Sequence, residues 1–181
     1  MSPLPEVRLV AATVPLLESL TADPARFSES IGSPIPEGWP EFPEAIPFAL
    51  NFLQHASDSD RPWSMQFFVE SSSGALVGSG GFATPPVHRT VEIGYEIAPA
   101  FRGRGLGAAS ARALVDRAVQ SGQVDYVVAN TLAGPNASTG VLLSIGFEHV
   151  SEHEDREAGS VWRWRWVVDG SSEHLAAGST L

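Results

Sequence analysis

Residues 90–122, TVEIGYEIAPAFRGRGLGAASARALVDRAVQSG, constrain the chain more than any other stretch. Val91, Ile93, Tyr95 and Ile97 alternate with Glu92, Gly94 and Glu96, the period-2 pattern of a half-buried strand. Pro99 ends it, because proline has no N–H to give the ladder. Beyond a turn, Ala111, Leu114, Val115 and Ala118 recur at helical spacing, with Arg112, Asp116 and Gln120 on the other side. The spacing therefore predicts a strand, a tight basic turn and a helix, with Arg102 to Gly107 at the helix N-terminus. Such a terminus attracts anions: its first N–H groups are unpaired, the macrodipole is positive there, and glycines let a phosphate approach the backbone. Gly103, Gly105 and Gly107 supply bare backbone, and Arg102 and Arg104 supply charge in a chain of net charge −10. A phosphate or pyrophosphate ligand is one reading of this stretch. A plain tight turn with solvated arginines is the other.

The string narrows the choice of phosphate ligand. A P-loop needs Gly-Lys followed by Ser or Thr to reach the outer phosphates and Mg²⁺, and neither is present. The run GRGLGA could form part of a dinucleotide fingerprint, but that fingerprint expects an acidic residue about 20 positions on, closing a second strand. Here the next strand, Tyr126 to Ala129, ends in Asn130, which speaks against NAD.

Two separated motifs together carry a family resemblance. Arg102-Gly103-Arg104-Gly105-Leu106-Gly107-Ala108, preceded by VEIGYEIAP, resembles the acyl-CoA pyrophosphate loop of the GNAT superfamily of N-acyltransferases. Downstream, Pro135-Asn136-Ala137-Ser138-Thr139 through Val141-Leu142 to Ile145-Gly146-Phe147 resembles the second half of the same motif set, in the form used by the Rim-type (ribosomal-protein alanine) branch. The match covers residues 64–167 well and the first 60 only in general character. It implies a mixed α/β (α+β) sheet flanked by helices, the GNAT fold, over residues 1–168, with 169–181 as a mobile tail. It also implies acetyl-CoA as cosubstrate, held by Ile97, Arg102 to Ala108 and Asn136, the last on the pantetheine arm or the leaving sulfur.

Composition limits the alternatives. A length of 181 residues with 43% hydrophobic content suits one domain with a sizeable core. No run of 18 apolar residues occurs, and the start MSPLPEVRL lacks a basic region followed by an apolar one, so neither a membrane span nor a signal peptide is expected. With no cysteine there is no disulfide, thiol catalysis or cysteine-ligated metal, which suits a cytoplasmic protein. The acidic excess argues against nucleic acid as a partner. It favours a cationic acceptor, or else serves solubility alone. His149, His153 and His174 lack a paired metal-ligand spacing, His88 is a lone loop histidine, and no Ser, His and Asp set has credible spacing, so neither metal nor hydrolytic triad is expected.

In chain order, Val7 to Thr13 reads as a first strand and Pro15 opens a short helix through Leu20. Residues 33–47 hold five prolines with Trp39 and Phe42, and read as a long ordered loop. In the resembling family this region often covers the acceptor site, so these aromatics either line that wall or plug the core edge. Phe48, Ala49, Phe52 and Leu53 give a helix face. Met65 to Glu70 and Leu76 to Phe82 read as a hairpin, with Gly78, Gly80 and Gly81 marking a bulge or a close backbone approach. After Phe147 to His153, a last strand from Val161 to Val168 sets Trp162, Trp164 and Trp166 against the core and Arg163 and Arg165 on the opposite face.

Amide formation on an amine sets the chemical requirements. An ammonium of pKa about 10.4 costs roughly 4.6 kcal/mol to hold neutral at pH 7, a cost that a general base shares. Glu92 is the candidate base, directly or through a water, with Glu96 as runner-up; a surface or salt-bridged carboxylate is the bland reading of Glu92. A thiolate of pKa about 8.5 leaves unprotonated at a cost of only about 2 kcal/mol, so a general acid helps without being obligatory. Many family members carry a tyrosine acid that would fall at Leu142. It is missing here, and Ser138 is the hydroxyl nearest that point. Gly140, Leu143 and Ser144 leave the outer face of this helix less polar, which suits a homodimer contact. Two functions stay open: an N-acetyltransferase acting on a primary amine such as a protein N-terminus or a small cationic molecule, and a non-catalytic acyl-CoA-binding regulatory module.

Overall fold

The computed structural model describes residues 3–168, so the expected tail at 169–181 lies outside the described residues. Seven strands, β1 (Val7–Ala11), β2 (Gln66–Glu70), β3 (Leu76–Phe82), β4 (Thr90–Ile97), β5 (Tyr126–Leu132), β6 (Glu148–Asp155) and β7 (Gly159–Val167), form one mixed sheet. Its order is β1-β2-β3-β4-β5-β7-β6. All neighbouring pairs are antiparallel except β4 with β5. Five α-helices flank it: α1 (Val14–Ala22), α2 (Pro24–Ile31), α3 (Ala45–His55), α4 (Leu106–Gln120) and α5 (Ala137–Ser144).

The period of each strand decides which helix covers which face. On β2, Phe67 and Val69 join Leu17, Phe27, Trp39 and Leu53 in one apolar cluster under α1, α2 and α3. Phe68 points the other way into a second cluster with Leu106, Leu114, Val115 and Leu142 of α4 and α5. Each large side chain buried in this way stabilises the fold by about 1.5–3 kcal/mol relative to exposure. Trp164 sits in the second cluster, with Trp162 and Trp166 packed against it, as their alternation with Arg163 and Arg165 predicts.

The local signals explain where helices begin and end. Thr13 caps α1, accepting from the Leu16 N–H, and α1 carries Pro15 in its first turn. Helix α2 is an element the sequence reading passes over: Asp23 caps it, accepting from the Arg26 N–H, and Gly32 closes it at φ 75°. The glycines of β3 mark close approach rather than a bulge within their own strand. A Cβ on Gly78 would lie 2.1 Å from the Glu96 carbonyl oxygen, and one on Gly80 would lie 2.6 Å from Cζ of Phe68. The register shift falls on β2, between Phe68 and Val69. Strand β5 runs on through Asn130 to Leu132 instead of ending at Ala129. Among the described residues, no helix is long and apolar enough to cross a membrane.

One departure from regularity positions everything that follows. Strands β4 and β5 pair only at Thr90 with Tyr126, Val91 with Val127 and Glu92 with Val128. Beyond Glu92 they part, so residues 94–97 of β4 keep β3 on one side and open a gap on the other.

Candidate active site

The gap between β4 and β5 opens into a cavity of about 690 Å³. Glu92, Gly94 and Glu96 of β4 line it, with Asn130 to Leu132 of β5, Asn136 to Ser138 at the start of α5, and Phe48 and Phe52 of α3. Glu92, Glu96, Asn136 and Ser138, singled out from sequence, therefore meet in one space. A Cβ on Gly94 would touch nothing within 4 Å, so the strand edge beside it is open.

The two carboxylates differ in their partners. Glu92 accepts a hydrogen bond from Nδ2 of Asn130 at 3.0 Å, and its other oxygen lies 3.6 Å from NH1 of Arg163. Cross-strand register explains this company, because Asn130 of β5 is the direct neighbour of Arg163 on β7. Glu96 accepts from the backbone N–H of Glu41 at 2.8 Å and from the Ser79 hydroxyl at 3.1 Å, and the Trp39 indole donates to Ser79 at 3.2 Å. Both carboxylates line the cavity, but Glu96 has both oxygens hydrogen-bonded within the protein, whereas Glu92 has one hydrogen bond and a looser 3.6 Å contact with a guanidinium.

The two loop aromatics divide between the readings open from sequence. Trp39 is buried at 6% exposure, stacked on Phe27 and edge-on to Phe67, and belongs to the core. Phe42 is 53% exposed and lines the cavity.

At the far end of β4 the chain turns into α4. Gly103 and Gly105 adopt φ of 73° and 76°, a left-handed region where a side chain is strained. Gly105 caps α4 with no side-chain hydrogen bond, and the first helical bond runs from the Ala109 N–H to the Gly105 carbonyl. The N–H groups of Leu106, Gly107 and Ala108 precede that ladder, as in any first turn, and so are free to bind an anion. Their side chains play another part: those of Leu106 and Ala108 are buried in the core. Gly107 is needed for packing, since a Cβ there would lie 3.2 Å from Val141 of α5 and 3.8 Å from Cγ1 of Ile97. The backbone cradle fits a pyrophosphate.

Two predicted ligand residues already have protein partners. Arg102 donates from Nε to the Ile97 carbonyl at 2.9 Å and pairs through NH2 with Glu41. Asn136 is the N-cap of α5: its Oδ1 accepts from the Thr139 N–H, and its Nδ2 donates to the carbonyls of Leu132 and Gly134. Arg104 has its guanidinium 5.3 Å from the Phe101 ring centre.

Some contributors were missed from sequence. Tyr95 borders the cavity and donates to the Ser138 carbonyl at 3.4 Å, and burial raises its pKa, so it stays a neutral donor. Leu142, at the position of the absent tyrosine, is fully buried. Asn130, Arg163, Ser79 and Glu41 reach the two carboxylates only through tertiary pairing, which no local pattern signals. Tyr95 was visible as a strand residue, but nothing marked its hydroxyl. Among the described residues, no group of three His, Asp or Glu side chains is placed to hold a metal ion.

Comparison with known proteins agrees with this fold. No curated protein matches the chain in sequence. Solved structures do match in fold. One is the acetyltransferase of microcin C7 self-immunity, solved with acetyl-CoA and AMP, at 17% identity and TM-score 0.62 over 90% of this chain and 93% of that one. Another is the RimL ribosomal L7/L12 α-N-protein acetyltransferase, solved with coenzyme A, at 17% identity and TM-score 0.65 over 91% and 95%. A third is a spermidine N-acetyltransferase chimera from Vibrio cholerae and hSSAT, at 13% identity and TM-score 0.64 over 94% and 98%. The acetyltransferase (GNAT) domain model matches residues 11–148, a span that takes in both motifs and every residue that lines the cavity. With that much of the chain covered, it belongs to the GNAT family of acetyltransferases.

Proposed function

We propose that the protein transfers an acetyl group from acetyl-CoA to a primary amine in the cavity between β4 and β5. The observation that carries this reading is the parting of the two strands after Glu92, which sets a carboxylate and the first turn of α5 around one space. Bound acetyl-CoA would supply a thioester carbonyl as electrophile and a thiolate as leaving group. The N–H groups of Leu106, Gly107 and Ala108 hold the pyrophosphate, with Gly103 and Gly105 keeping the approach clear and Arg104 adding charge. Arg102 joins them by exchanging Glu41 for phosphate. Ile97 and the open edge of β4 align the arm.

Glu92 takes the proton of the incoming ammonium, directly or through a water, while Asn130 and Arg163 fix its orientation. Glu96, doubly hydrogen-bonded, is the weaker base. Ser138 and Tyr95 offer hydroxyl groups on the side where the thiolate departs. Asn136 is a positioning residue: it caps α5 and so holds Ser138 in place.

A thiol-release assay with purified protein and a panel of amines tests this reading. Glu92→Gln should lower kcat/KM about 100-fold, at the lower end of what general-base catalysis contributes, and Glu96→Gln less. If both variants turn over like the wild type, the base assignment is wrong. Burial of Leu142 where relatives have a tyrosine favours the second reading, a non-catalytic acyl-CoA-binding module. Acetyl-CoA binding without thiol release for any amine would select it.

A further inference from the structure

We infer that the acceptor is a primary amine whose ammonium is its one positive charge and whose body is apolar, aryl or branched, and not a polyamine or an aminoglycoside. The inference rests on the reading that acetyl-CoA and an amine meet in this cavity. Among the residues that line it, only Glu92 and Glu96 carry charge. Glu96 has both oxygens engaged by the Glu41 N–H and the Ser79 hydroxyl. Glu92 is shared with Asn130 and Arg163 but borders the open space. That carboxylate, already beside the Arg163 guanidinium, can accept from one ammonium and no more. A second and third ammonium would enter with no anionic partner, and a desolvated unpaired charge is strongly unfavourable.

The opposite wall asks for apolar surface. Phe42, Phe48 and Leu132 line the cavity at 53%, 66% and 58% exposure, and Phe52 and Met65 continue the wall inward. Large apolar side chains rarely cluster uncovered at a concave site unless a ligand covers them. Rings placed there favour an aryl group by offset or edge contacts. The aromatic part of the wall comes from α3 and the loop before it, with Leu132 added by β5, while the charge comes from β4. An acceptor with its amine at one end and its apolar body at the other spans the two.

The chemistry fits a free arylalkylamine or the α-amine of a peptide whose first residue is Phe or Leu, and the assay separates these sources. At saturating acetyl-CoA, thiol release is measured for phenethylamine, a Phe-initiated peptide, a Ser-initiated peptide, spermidine and kanamycin. One or both of the apolar amines should exceed spermidine and kanamycin at least 30-fold in kcat/KM. Phe42→Ala and Phe48→Ala remove exposed rings. Each should raise KM for the preferred apolar amine about 10-fold, the scale of one aromatic contact, with kcat and acetyl-CoA affinity held. Preference for spermidine or kanamycin, or an unchanged KM in both variants, overturns the inference while leaving the acetyltransferase reading intact. Acetyl-CoA binding with no thiol release from any of the five also overturns it. Absence of acetyl-CoA binding defeats the underlying functional reading instead.

Discussion

The two ends of the proposed site, the turn into α4 and the cavity beside β4, are built from different materials. At the α4 end, the groups proposed to bind are backbone N–H donors, and side chains matter mainly by being absent, as at Gly103 and Gly105. At the α3 end the groups on offer are side chains, the rings of Phe42 and Phe48 lining the same cavity as Glu92. The contrast teaches that a ligand part common to a whole family is held by geometry every chain can make. The part that differs from protein to protein is held by side chains that can be exchanged without disturbing the fold.

The largest test of the contrast lies at the backbone end. Gly105→Glu combines a side chain at φ 76° with a negative charge at the helix terminus. Acetyl-CoA affinity measured by calorimetry should fall at least 100-fold, with the circular dichroism spectrum retained. An unchanged affinity would remove the pyrophosphate from this turn.

A smaller effect is expected at the seam between the two ends, where Arg102 pairs with Glu41. Arg102→Ala should weaken acetyl-CoA binding about 10-fold, the scale of one charge-assisted hydrogen bond. Glu41→Ala should leave that affinity equal or tighter, because it frees Arg102, and should leave KM for the amine unchanged, because the backbone N–H that holds Glu96 is kept. If Glu41→Ala weakens acetyl-CoA as much as Arg102→Ala does, the pair is a structural clasp and the two ends are not separable.

The smallest effect falls far from both ends and serves as a control. Hydrogen bonds from the backbone N–H groups of Ala158 and Glu157 hold the Asp155 carboxylate below its usual pKa. A depressed folded-state pKa gives stability that is present above the unfolded value, about 3.9, and is lost as pH falls through the folded one. Asp155→Asn should therefore lower Tm slightly at pH 7, converge with the wild type at acid pH, and leave acetyl-CoA affinity and kcat untouched. A change in either would mean that the β6–β7 turn communicates with the site.

The same contrast explains what the sequence revealed. The β4–α4 unit was legible because its rules are local: alternation in Val91 to Ile97, a proline stop, glycines at left-handed positions and a helical stripe from Ala111. Tryptophan alternation in β7 was legible for the same reason. Helix α2 was passed over although Asp23-Pro24 at its start and Gly32 at its end are local signals, because only Phe27 and Ile31 mark its buried face. Other features were beyond local reading. Arg102 looked like a free phosphate ligand, and only folding brings Glu41, 61 residues away, to its side. Asn136 looked like a ligand to the cofactor arm, and only the structure shows that its amide also caps α5. Trp39 and Phe42 are three positions apart in one proline-rich loop, and their fates diverge because Phe27 and Phe67 form a socket for one alone.

Joined at only three residue pairs, the two halves of the sheet behave as the blades of a wedge. Its opening is set from behind, where Ala111, Leu114 and Val115 of α4 are wholly buried in the cluster that holds Val91 of one blade and Val127 of the other. None of these side chains lines the cavity. A methyl group added at Ala111 would crowd the cluster that both strands share, so the packing behind the slot depends on residues that line none of it.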